Sequence, residues 1–263
     1  MPVTPSDGID LFYQVTGSGP RVLLLNGSGL TLEDSAVLVG LFSSRCQVLS
    51  YDYRGLGRSG PSAGGYTMAD CATDARRVLD AVGWRTAPVL GISFGGMVAL
   101  ELAVSAPDRL ERLVLLCTSA GGAGGSSYPL HELDTLDVDE RKSVRRRLID
   151  TRFDEPWLDS HPGDRRLAEM MEARESGRGP GFSEQLEARR GHDTWDRLGA
   201  IACPTSIGCG RFDGIAPPRN SEAMASRISG AELHVYQGGH AFLAQDPQSV
   251  TDVFEFLSAT PVP

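Results

Sequence analysis

Short unbroken apolar runs, separated by amphipathic stretches, constrain this chain more than any other feature. Residues 22–25, 47–51, 88–92, 113–117, 205–209 and 233–236 are such runs, and residues 11–15 read as an additional first strand. Strands that are apolar on both faces are covered on both faces by helices. The helical stretches are equally legible. Met68, Cys71, Ala72, Ala75, Val78, Leu79 and Val82 recur at three- and four-residue spacing, with Thr67 placed to cap the helix and Gly83 to end it. Residues 94–105 follow a strand directly and stop before Pro107, while 218–228 and 247–257 open on prolines at first-turn positions. This alternation predicts an α/β fold with a mainly parallel central sheet flanked by helices. A chain of 263 residues buries about three quarters of its unfolded surface, so no disulfide or metal staple is needed.

The pattern changes between Ala120 and Gly199. A glycine stretch, Gly121-Gly122-Ala123-Gly124-Gly125, suggests a hinge, and the residues beyond it are charged, helical by propensity and without a convincing strand. The expected organisation is a core of residues 1–125 and 200–263 with a helical insertion, 126–199, lying over the sheet. An Arg-rich stretch at 140–147 follows Asp134, Asp137 and Asp139 and reads as a solvated helix face, with a role in recognising substrate carboxylates as the alternative.

The net charge of −9 gives no general attraction to nucleic acid or to an anionic membrane surface. Cys46, Cys71, Cys117, Cys203 and Cys209 have no zinc-ligand spacing and cannot all pair, so they read as reduced, buried thiols. The N-terminus lacks a basic and apolar leader, and the apolar runs are far shorter than a membrane span. A cytoplasmic protein acting on a small molecule is expected; oligomeric state is not legible.

Gly91-Ile92-Ser93-Phe94-Gly95 is a G-x-S-x-G match whose meaning comes from its setting, with a strand running in and a helix running out. So abrupt a turn holds Ser93 on a sharp point at a helix N-terminus, where developing negative charge is favoured. A serine hydroxyl needs a base. Of five histidines, His240 alone sits in a glycine-rich loop directly after a strand; His131, His161, His192 and His234 read as packing or surface residues. The base needs an orienting acid, and Asp213 follows the strand 205–209 in a loop of the same kind. Nucleophile, acid and base thus fall in that order, each beyond a strand's carboxyl end, where open α/β sheets build their sites. An oxyanion hole needs two backbone N–H groups. Phe94, after the nucleophile, supplies one, and the turn Asn26-Gly27-Ser28-Gly29 supplies the other, with Ser28 first and Gly29 the alternate.

These motifs resemble those of the α/β-hydrolase fold. The resemblance extends to Asp52-Tyr53-Arg54-Gly55-Leu56-Gly57-Arg58-Ser59, similar to the family's D-x-R-G-x-G-x-S, which is structural there. It implies that the insertion forms a cap and that Ser93, His240 and Asp213 are a catalytic triad. Many relatives carry His-Gly where this chain has Asn26-Gly27; the backbone donor does not depend on that side chain, and Asn26 could brace the turn. The implied chemistry is hydrolysis of a small or medium ester, thioester or lactone through an acyl-enzyme, with no metal or organic cofactor. The alternatives are C–C bond hydrolysis of the meta-cleavage type, acyl transfer or perhydrolysis on the same triad, and ligand binding with little turnover. Tyr128, Phe153, Trp157, Met170, Met171 and Trp195 are the cap residues that could line an apolar pocket.

Overall fold

The computed structural model describes residues 2–62, 64–173 and 180–259. Residues 174–179 of the expected insertion and 1, 63 and 260–263 of the expected core lie outside the described residues. The strands are β1 (Val3–Ser6), β2 (Ile9–Thr16), β3 (Arg21–Leu25), β4 (Gln47–Tyr51), β5 (Ala87–Ile92), β6 (Leu110–Leu116), β7 (Thr205–Gly210) and β8 (Glu232–Tyr236). They form one 8-stranded sheet in the order β1-β2-β4-β3-β5-β6-β7-β8. Pairing is antiparallel between β1 and β2 and between β2 and β4, and parallel from β4 through β8.

The helices are α1 (Ala36–Ser43), α2 (Met68–Ala81), α3 (Phe94–Ser105), α4 (Val138–Ile149), α5 (Glu155–Ser160), α6 (Pro162–Ala173), α7 (Pro180–Arg190), α8 (Pro218–Arg227), α9 (Phe242–Gln245) and α10 (Pro247–Ser258). Successive strand residues feed two separate cores, as the two-residue period of a strand requires. On β3, Leu23 and Leu25 pack with α2, α3 and α8, whereas Val22 and Leu24 pack with α1 and α10. Helix α2 starts where expected because Thr67 and Asp70 form a capping box, the Asp70 carboxylate accepting the Thr67 N–H at 2.7 Å.

Between β6 and β7 the described residues add no strand to the sheet. Leu133, Leu148, Ile149, Phe153, Leu158 and Ala168 of this segment form an apolar cluster with Ile215. The segment is stitched to the loop after β7: Gly214 donates to the Leu148 carbonyl at 3.1 Å, Thr151 to that of Phe212 at 2.9 Å, and Tyr128 to that of Ile215 at 2.7 Å. The glycine stretch is not a loose joint. Gly121 bridges to Asp193, and the Thr194 N–H donates to the Ala120 carbonyl at 2.8 Å, so the chain entering the segment is held beside the chain leaving it. Small residues there permit close approach. All five cysteines are free, and Cys203 alone is not buried. Among the described residues no helix is long and apolar enough to cross a membrane.

Candidate active site

β5 delivers the chain to Ser93 and α3 carries it away, and the junction is strained. Ser93 has φ 54° and ψ −114°, a conformation costing a residue with a side chain about 1–3 kcal/mol. Packing enforces it. The Ser93 N–H donates to the Leu116 carbonyl at 2.8 Å, and Thr118 Oγ1 donates to the Ser93 carbonyl at 2.8 Å. Only glycine fits two residues on: a Cβ on Gly95 would lie 2.0 Å from the Leu25 carbonyl oxygen.

Strand ends β5, β7 and β8 bring three of the expected residues together. His240 Nε2 lies 3.0 Å from Ser93 Oγ, and His240 Nδ1 lies 2.8 Å from Asp213 Oδ2. Asp213 is 3% exposed. Its other oxygen accepts the N–H groups of Ile215 and Ala216, both at 2.8 Å, which fixes the carboxylate and leaves Oδ2 for the imidazole. With Nδ1–H donated to the carboxylate, Nε2 carries the lone pair that faces the serine hydroxyl. Cys117 completes a close group with Asp213 and His240, and its thiol is pushed well up by burial.

The His240 loop rests on residues that motif reading did not single out. The His240 N–H donates to the Ile149 carbonyl at 2.6 Å, and a Cβ on Gly239 would sit 2.0 Å from that oxygen. Gln245 Oε1 accepts the Gly239 N–H at 2.9 Å while its Nε2 donates to Asp150 at 3.0 Å. Asp150, wholly buried, holds the Arg152 guanidinium through both oxygens at 2.8 and 2.6 Å. The close sequence pair Asp150/Arg152 was the available signal; its link to Gln245 spans the fold.

The turn after β3 also reaches the site. Gly27, Ser28, Ser93 and His240 line one cavity of about 450 Å³, within the range of small-molecule sites. Phe94 opens α3, where a helix leaves its first N–H groups without intrahelical acceptors. Its ring is buried edge-on against Tyr53 at 5.3 Å. The Gly29 N–H is already donated to Gln185 Oε1 at 2.7 Å. Asn26 does not brace the turn: both side-chain polar atoms are buried and unpaired, and its carbonyl accepts the Tyr53 hydroxyl at 3.1 Å.

The rest of that cavity is largely apolar, with Leu38, Leu148, Ile149, Leu167, Met170 and Met171 in its wall. Of the six residues expected to line a pocket, only Met170 and Met171 do. Tyr128, Phe153 and Trp157 pack into the segment's own cluster, and Trp195 packs against the main core beneath Arg227. Arg145 and Arg146 of the Arg-rich stretch line the cavity, but Arg146 is engaged by Glu155 and Glu172.

His192 is buried and gives its Nε2–H to the Ser119 carbonyl at 3.0 Å. Burial pushes its pKa from 6.5 down to about 4. The unfolded chain therefore binds the extra proton between those values, and stability falls as pH drops through that window. The wild type is expected to lose about 2 kcal/mol more than His192→Gln between pH 7 and pH 4.5. Urea unfolding of both proteins at the two pH values checks this; parallel losses would contradict it.

Comparison with known proteins agrees with the geometry. The family model for the alpha/beta hydrolase fold matches residues 20–247. A protein of Azorhizobium caulinodans named as a carbamate hydrolase, RutD, is 30% identical over 97% of this chain and 95% of its own. The 2-hydroxymuconate semialdehyde hydrolase of Pseudomonas putida is 33% identical over 85% of this chain and 82% of its own. The crystal structure of a hydrolase from Pseudomonas aeruginosa superposes with a TM-score of 0.78 at 30% identity, covering 97% of each chain. The strained serine elbow, the parallel sheet that builds it and these likenesses converge: the chain belongs to the alpha/beta hydrolase fold family and is a hydrolase.

Proposed function

We propose that the protein is a serine hydrolase that cleaves a small or medium apolar ester, thioester or lactone through an acyl-enzyme. The observation that carries this reading is the unbroken relay from Ser93 to His240 to Asp213, facing a cavity with an apolar wall. His240 Nε2 takes the Ser93 proton as Oγ bonds to the carbonyl carbon. The Phe94 and Ser28 N–H groups hold the oxyanion; Gly29 is disfavoured as donor because Gln185 occupies it. Collapse breaks the bond to the leaving oxygen or sulfur, which receives the proton from His240. Water then attacks the acyl group, with His240 again as base, and Ser93 recovers its proton. Asp213 stabilises the imidazolium in both halves. No cofactor enters these steps.

Within this reading, residues 126–199 act as a cap over a core of 1–125 and 200–263, and the protein works in the cytoplasm on a small acyl substrate. The contacts of Leu148 and Ile149 with the loops bearing Asp213 and His240 support that role. A second reading, cleavage of a carbon–carbon bond or a carbamate by the same triad, is favoured by the names of the two relatives. A substrate panel separates them. Each buried methylene contributes about 0.8 kcal/mol, so kcat/KM for p-nitrophenyl hexanoate should exceed that for the acetate by about tenfold or more. Preferential turnover of a vinylogous diketone or an aryl carbamate would instead favour the second reading.

A further inference from the structure

A second cavity, of about 310 Å³, lies between the end of α7, the turn after β6 and the start of the inserted segment, with Met97 of α3 on its apolar side. Its polar lining holds two guanidinium groups, Arg189 and Arg190, on a chain whose net charge is −9, together with His131, His192, Ser119 and Ser127. Among the described residues no carboxylate lines it. Arg190 is paired with Glu187 at 3.0 Å. Arg189 is not paired with any acid among the described residues. It is half-buried, its Nη2 donates to the Tyr128 carbonyl at 3.0 Å, and burial lowers its pKa to about 10, so it remains a cation at neutral pH. A partly desolvated guanidinium with free donors and no counter-charge is costly unless an anion completes it.

His192 points to the rest of the ligand. A carbonyl can only accept, so the imidazole hydrogen is on Nε2, where it meets Ser119, and Nδ1 is a bare acceptor. Nδ1 is buried and unpaired in a residue that is 7% exposed. The site thus asks for a negative oxygen beside Arg189 and for a hydrogen-bond donor beside His192. The Ser119 and Ser127 hydroxyls, 2.9 Å apart, can serve either polarity. A cavity of this size holds about ten waters, enough for a short organic acid.

We propose that this cavity binds a small hydroxycarboxylate, its carboxylate on the Arg189 guanidinium and its hydroxyl donated to His192 Nδ1. The site is separate from the Ser93 cavity and does not depend on the reaction proposed there. Nuclear magnetic resonance titration of the ¹⁵N-labelled full-length protein with lactate and 3-hydroxybutyrate tests it, beside their deoxy counterparts propanoate and butyrate and inorganic phosphate. At least one hydroxy acid should bind about tenfold or more tightly than its deoxy counterpart, shifting amides around residues 119, 127 and 192. Arg189→Met should weaken it about tenfold or more, and Arg189→Lys, which keeps the charge but not the fork, should weaken it by less. Far-UV circular dichroism confirms that each variant is folded, and the Lys variant carries the test where the Met variant is not. Absence of saturable binding by both hydroxy acids, binding indifferent to both Arg189 variants, or tighter binding of phosphate would overturn the assignment.

Discussion

Ser93→Ala is expected to lower kcat on a p-nitrophenyl ester by about 10⁴-fold or more, with little change in KM. The substitution removes one oxygen and leaves the elbow as it stands. Its strain is imposed by backbone contacts to Leu116 and by Thr118, not by the hydroxyl. Alanine tolerates the left-handed backbone no worse than serine does, so the folded protein and its cavity should persist. What disappears is the atom that His240 Nε2 faces at 3.0 Å. Residual rate then comes from the oxyanion donors and from substrate positioning alone. Steady-state kinetics with a matched unfolding curve separates loss of chemistry from loss of fold. Retention of more than about a tenth of kcat would remove Ser93 from the mechanism.

The second large effect concerns stability. Asp74 on α2 is fully buried and receives the Arg54 guanidinium through two bonds of 2.7 Å, and the Ser6 hydroxyl donates to it at 2.6 Å. Arg54 belongs to the turn after β4 and lies over the Tyr66 ring at 5.2 Å. In the same turn Asp52 accepts the Leu32 N–H at 2.6 Å and the Arg58 N–H at 2.9 Å. It thereby ties the loop that leads from Ser28 to the sheet. Removing one member of a buried pair leaves an uncompensated charge, so Asp74→Ala should cost about 3–5 kcal/mol. For a chain of this length that lowers Tm by roughly 10 °C. The double replacement Arg54→Met with Asp74→Leu should recover much of the loss, because an apolar pair leaves no stranded charge. A loss below about 1 kcal/mol for Asp74→Ala would mean that the pair is solvated.

The convergence of Ser93, Asp213 and His240 was legible because its parts are local: an apolar run that ends on a glycine-rich loop marks a parallel strand's carboxyl end, and each of the three follows such an end. Strand β1 carries no such mark. It is an edge strand whose residues alternate between exposed and buried, with Pro5 inside it. Helix α1 was hidden for the opposite reason, since AVLVGLFS is apolar nearly throughout, holds Gly40 and has no side-chain cap. Its Leu38 and Leu41 line the Ser93 cavity, so the missed helix matters to the site. The contacts that shape the turn after β3 and the His240 loop are long-range. Gln185 reaches Gly29 across 156 residues, and Gln245 reaches Asp150 across 95. No periodicity or spacing encodes such pairs; they exist only once the segment between β6 and β7 has docked. Aromatic residues of that segment misled because their own cluster claims Tyr128, Phe153 and Trp157 before any pocket does.

The most direct measurement is the site of covalent capture. Intact-mass and peptide mass spectrometry after treatment with a fluorophosphonate should find one adduct, on the peptide that carries Ser93, and a saturating p-nitrophenyl ester should slow its formation. The His240→Ala protein should remain unlabelled over the same time. No adduct in the folded wild type, or an adduct on another residue, would contradict the account.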